Sequence, residues 1–140
     1  MSALDVTPAA IAERLRTQNN HCTREPLYVV QQRRRITGLD PRFSGEIAWW
    51  NSEETRVADA DEHARLESEF ADTGDEPEYW TRSAFMDTWE FVTCCLTEAG
   101  AQAYIKANGH NLTDPRVYVD SAWRNEEMIA ARSALKAVRP

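Results

Sequence analysis

Three cysteines and three histidines are the residues that could begin covalent or metal chemistry in this chain. A nucleophilic cysteine needs a base within hydrogen-bond reach, and no motif places His21, His63 or His110 beside Cys22, Cys94 or Cys95. Cys94 and Cys95 fall in a stretch that reads as a strand, where at least one thiol points into the core as a small hydrophobe. A buried thiol is a poor nucleophile. A tetrahedral zinc site needs four ligands at tight spacing, whereas His21-Cys22 and Cys94-Cys95 are adjacent pairs with no matching second pair. Neither a metal nor any other cofactor is therefore expected. Glu53-Glu54, Asp61-Glu62 and Glu126-Glu127 are neighbours in sequence, and neighbours diverge on a helix or strand instead of converging as an acid-base dyad. GxGxxG, P-loop, HExxH and GxSxG patterns are lacking too. The expectation is a protein that is not an enzyme; an unrecognised enzyme would have to gather Cys22, His110 and Glu90 in one cleft.

Binding chemistry has better candidates. Arg33, Arg34 and Arg35 form a basic run near Arg24 and Arg42, while residues 53 to 78 hold eleven acids against two arginines, a local charge of -9 that leaves +2 for the rest of the chain. Two surfaces of opposite sign follow. On a strand Arg33 and Arg35 point one way and Arg34 the other. Arg34 is then the expected internal partner of Asp87 or Glu90, with Arg124 an alternative for Glu90, and Arg33 and Arg35 the contacts for an outside anion. Tyr28 and the exposed one of Trp49 and Trp50, taken as Trp50, supply aromatic surface. His110, Asn111 and Arg124 complete the candidate contacts, although Asn108, His110 and Asn111 around Gly109 also read as turn formers and Asn125 as a helix cap.

The elements that must position these residues alternate in type. A first helix starts at Thr7 with Pro8 at its first turn; its narrow stripe of Ile11 and Leu15 marks residues 1–20 as a peripheral piece. Leu27 to Ile36 reads as a strand starting after Pro26, followed by a loop with Gly38, Asp40-Pro41 and Gly45. A second strand from Glu46 to Asn51 is expected to return antiparallel beside the first. Asp59 to Phe70 reads as a helix with Ala64, Leu66 and Phe70 as apolar contacts, ended by Gly74 and Pro77. Phe85 to Leu96 alternates most strongly and is the expected central strand, with Trp89, Phe91 and Val92 buried on at least one face. Thr97 caps a helix carrying Ala101, Tyr104 and Ile105, stopped by a left-handed Gly109. A short strand from Arg116 to Val119 and a helix from Asn125 to Val138, striped by Met128, Ala131, Leu135 and Val138, complete the order.

This order predicts an α+β fold, a mainly antiparallel sheet of about four strands with helices packed on one face. The 140 residues, 42% hydrophobic, suit a single domain with one core. Mean hydropathy of -0.61 and the lack of a long apolar run exclude a spanning segment, and the first residues do not read as a signal peptide. With unpaired cysteines, a cytoplasmic protein is expected.

Trp89-Glu90-Phe91-Val92-Thr93, Leu96-Thr97, Gly100, Tyr104-Ile105, Asn108 to Leu112, Pro115 to Val119 and Arg124-Asn125-Glu126 form a recognisable pattern, joined by Cys22-Thr23, Pro26-Leu27-Tyr28, Gln31 to Ile36, Gly38 and Trp49. Over roughly residues 22 to 135 the chain resembles small uncharacterised proteins encoded by tailed phages and prophages of proteobacteria. The resemblance implies an accessory protein in the host cytoplasm and carries over no activity, cofactor or catalytic residue. Together these observations favour a binding protein whose partner is a host or phage protein. The alternatives are a nucleic-acid module reading RNA or single strands through an arginine and aromatic sheet face, or an acidic nucleic-acid mimic. Oligomeric state has no signature in the sequence.

Overall fold

The computed structural model describes residues 3–42 and 45–140. Helix α1 (Pro8–Thr17) begins where the Thr7 hydroxyl accepts the Ala10 N–H at 3.3 Å. Strand β1 (Pro26–Leu39) follows, then β2 (Glu46–Asn51), a two-residue β3 (Arg56–Val57), α2 (Ala60–Thr73), β4 (Trp80–Cys95), α3 (Glu98–Asn108), a 3-10 turn (Gly109–Asn111), β5 (Arg116–Ser121) and α4 (Glu126–Lys136). Hydrogen bonding orders the strands β3-β2-β4-β1-β5. β1 pairs antiparallel with β5 from Pro26↔Ser121 to Gln31↔Arg116, and β2 pairs antiparallel with β4 from Glu46↔Phe85 to Asn51↔Trp80. The fold is thus α+β with an antiparallel sheet, and β4 is its middle strand, as expected. Among the described residues no helix is long and apolar enough to cross a membrane.

Contacts gather the residues into two compact units, one of residues 1–33 with 89–140 and a second of 34–88, and β1 and β4 contribute to both. In the first unit Tyr28, Val30 and Ala101 form a buried cluster against which Val92, Tyr104, Ile105, Val117 and Val119 pack. These side chains come from one face of β1, β4 and β5 and from α3. α1 buries Ala12 and Leu15, and Arg16 donates to the carbonyls of Lys136 and Val138 at 2.7 and 2.9 Å. It thereby satisfies acceptors that the C-terminal end of α4 leaves open.

In the second unit α2 is started by a reciprocal cap. The Asp59 carboxylate accepts the Glu62 N–H at 2.8 Å and Glu62 returns the bond to the Asp59 N–H, while Gly74 ends the helix at φ 73°. α2 covers Trp49, which is fully buried edge-on to Phe70. The Trp49 indole donates to Glu67 at 2.7 Å, and Arg82 donates to both oxygens of the same carboxylate at 2.8 and 3.1 Å. The Arg82 bonds, with a smaller contribution from Trp49, hold the Glu67 carboxyl below its ordinary range.

Several expectations are corrected. β2 pairs with β4 and not with β1, because β4 and β5 occupy both edges of β1. The loop expected between them is described at its ends, residues 43–44 lying outside the described residues. Gly109 has φ -57° and carries the chain on into the 3-10 turn, so it is not a left-handed stop. Ala64 and Ala131 are exposed. On α4 the buried position is instead Arg132, 3% exposed, which donates to Glu25, to the Arg24 carbonyl and to Asn20 at 3.0 to 3.3 Å. Val92 and Cys95 both pack on the same core although an odd number of steps separates them, so the alternation in β4 slips by one residue there, as at a β-bulge.

Candidate binding surface on the open sheet face

The face of β1, β4 and β5 turned away from the first unit's core carries the candidate surface. Gln31 and Arg33 of β1 share it with Arg116 and Tyr118 of β5, since Gln31 pairs with Arg116 and Val29 with Tyr118. Trp89 of β4 joins them. Its ring lies 3.7 Å from the Arg116 guanidinium carbon and 5.2 Å from that of Arg33, and Tyr118 lies 5.7 Å from Arg116. The Arg116 Nε donates to Gln31 Oε1 at 2.8 Å, which helps hold the guanidinium beside the indole. Phe91, two residues along β4 and so on the same side, is 63% exposed, and Tyr118 is 46% exposed.

Two aromatic side chains this exposed, beside a third with two guanidinium groups near its ring, make an apolar surface with cationic groups against it. The distances are those of cation–π contact. The surface can stack a planar group, bond an anion through guanidinium N–H groups, or take an aromatic side chain of a partner. Its charge context differs between the units. The first has ten Lys+Arg against nine Asp+Glu, the second six against fourteen.

The structure disposes the sequence candidates unevenly. Arg33 is on this face. Tyr28 is not: it is fully buried in the core, its hydroxyl donating to the Asn19 carbonyl at 2.7 Å, because positions 28 and 33 have opposite parity on one strand. Arg35 belongs to the second unit, where it donates to Asp87 at 2.9 and 3.2 Å and lies 3.9 Å from the Phe85 ring. Asp87 therefore has Arg35 as one partner, on a side chain of Arg35 that is half exposed. Glu90 accepts from Gln32 at 3.2 Å. Trp50, in the second unit, is the exposed one of the Trp49–Trp50 pair at 42%. His110 and Asn111 bond each other at 3.0 Å in the 3-10 turn, and Arg124, at φ 65°, lies over Trp123 at 4.1 Å.

Trp89, Phe91, Arg116, Tyr118 and Gln31 are members that sequence reasoning missed. Trp89 and Phe91 are expected in a strand buried on at least one face; Val92 packs on the core, and on the other side Phe91 stays 63% exposed. A signal existed: Gln31-x-Arg33, Trp89-x-Phe91 and Arg116-x-Tyr118 each place two stacking or bonding residues at a spacing of two on a strand.

Burial pushes Cys94 and Cys95 above the ordinary thiol range, Cys94 being raised further by Cys95 and Asp120. Cys22 is exposed, and among the described residues no three His, Cys, Asp or Glu side chains group as they would around a metal ion. No protein-family model, no curated protein and no solved structure matches this chain.

Proposed function

We propose that this chain is a non-catalytic binding protein that takes single-stranded nucleic acid on the open sheet face of its first unit. The observation carrying the proposal is the Trp89 ring with Arg33 and Arg116 against it, flanked by exposed Phe91 and Tyr118. Bases present π-faces to aromatic rings and guanidinium planes without regard to sequence, and phosphates meet the arginine N–H groups. The acidic second unit restricts contact to this face, so a duplex, which presents its bases edge-on inside two charged backbones, is the poorer ligand. The resemblance to phage and prophage proteins fits a cytoplasmic partner of this kind. The net charge of -7 favours a second reading, in which a host or phage protein docks on the same Trp, Tyr and Arg side chains.

The test is fluorescence anisotropy with a labelled oligouridine and the matching DNA strand at several salt concentrations. Saturable binding is expected, weakened by Phe91→Ala and Tyr118→Ala by about 1–3 kcal/mol each. Arg33→Ala should lower the salt slope by about 0.7. Absence of binding at low salt up to about 100 µM strand, with the fold intact, would overturn the nucleic-acid proposal and leave the protein partner.

A further inference from the structure

The second unit holds a trough with no part in the surface described above. It has a volume of about 680 Å³, within the range of small-molecule sites. Its floor is laid out by strand register. Val57 of β3 pairs with Trp50 of β2, Trp50 with Thr81 of β4, and Ala48 with Ser83. Paired residues project to one side of a sheet, so an apolar strip of Val57, Trp50 and Ala48 runs beside a hydroxyl strip of Thr81 and Ser83. Thr37 and Asp40 also line it. Trp50 is 42% and Val57 51% exposed, so a large indole and a branched side chain face water inside a concavity.

The lining discriminates among ligand classes. Among the described lining residues a charged ligand meets no uncommitted charge: the guanidinium of Arg82 is bound by Glu67 at 2.8 and 3.1 Å, and the carboxylate of Asp40 is bound by Arg42 at 2.8 to 3.2 Å. A wholly apolar ligand would strip water from the Ser83 and Thr81 hydroxyls and give no hydrogen bond back. A ring that shows C–H groups on its flat side and hydroxyls around its edge satisfies both strips at once. We propose that the trough between β1, β2, β3 and β4 in the second unit binds an uncharged saccharide ring, its C–H face on Trp50 and its hydroxyl edge on Thr81 and Ser83. The proposal stands apart from the nucleic-acid surface, whose residues belong to the other unit.

The test uses the full chain and three probes, methyl β-D-glucopyranoside, methyl β-D-galactopyranoside and N-acetylglucosamine, followed through the backbone amide signal of Thr81 in nitrogen-15 NMR, with adenosine as an uncharged aromatic control. A saturable shift of that signal with at least one saccharide is expected, with loss of binding by about tenfold or more in Trp50→Ala. Ser83→Ala should weaken it about threefold without changing thermal stability. Should Trp50→Ala fail to fold, Trp50→Leu, which keeps bulk and removes the ring, replaces it. No response to any of the saccharides at about 50 mM, a response unchanged in the Trp50 variant, or saturable binding of adenosine in their place would each overturn the proposal.

Discussion

Glu67 is a single carboxylate asked to satisfy two groups at once, and removing it should cost the second unit heavily. In Glu67→Ala the Trp49 N–H is left inside a fully buried site without an acceptor, a loss of about 1–3 kcal/mol. Arg82 loses both bonds to that carboxylate, but its side chain is 21% exposed and can turn back to water, so its share is about 0.5–1 kcal/mol. The sum is about 1.5–4 kcal/mol, read as the shift in a urea titration followed by tryptophan fluorescence. Glu67→Gln keeps an acceptor for Trp49 and should lose only about 1 kcal/mol. The pH dependence has a definite sign. Arg82 holds the folded Glu67 pKa below its ordinary 4.5, so the charged carboxylate's contribution is complete above 4.5 and disappears as pH falls through the lower folded value. The gap between the wild-type chain and Glu67→Gln should therefore be constant near neutrality and close in acid. A loss below about 0.5 kcal/mol in Glu67→Ala, or a gap that widens in acid, would refute the assignment of Glu67 as the joint acceptor.

Two further stability effects follow from burial. Trp49→Ala should cost about 3–5 kcal/mol by opening a cavity under α2, whereas Trp89→Ala on the open face should cost about 1–2 kcal/mol; equal losses in denaturant titration would return Trp89 to the core. Arg132→Ala should cost about 3 kcal/mol by leaving Glu25 and Asn20 without their buried donor, with faster amide exchange over residues 20–25. Unchanged exchange there would show that α4 does not hold this segment.

Local chemistry in the sequence foretold the start of each helix. Thr7, Asp59, Thr97 and Asn125 all accept the N–H three residues on, as their side chains and positions require. Alternation also separated Trp49 from Trp50 and Arg33 from Arg34. What alternation cannot supply is which side of a strand a helix will cover. β4 carries large apolar residues on both sides, and the placement of α2 and α3 decides that Ala84 and Val92 face the core while Phe91 faces water. The same limit hid half of the candidate surface, with Arg33 visible as part of a basic run while Arg116, alone between Pro115 and Val117, gave no sign until its pairing with Gln31 set it beside Trp89. Arg132 was hidden for a different reason. A helical stripe is scored by apolar residues, and a guanidinium buried for the carbonyl and carboxylate it serves interrupts the pattern.

The division of the chain into a contiguous unit and an interrupted one bears on its birth at the ribosome. All residues of 34–88 are made before Trp89 and leave the ribosome ahead of residues 89–140, so that unit can gather its contacts before the first is complete. Tyr28 and Val30, made before it, must wait for Val117 and Val119, and Pro26 finds its pairing partner only when Ser121 arrives. Closing so long a loop is slow, as it is for any pairing of distant strands. Throughout that interval the apolar head of β1 is an exposed strand, the stretch of the nascent chain most open to chaperones or to a second nascent copy.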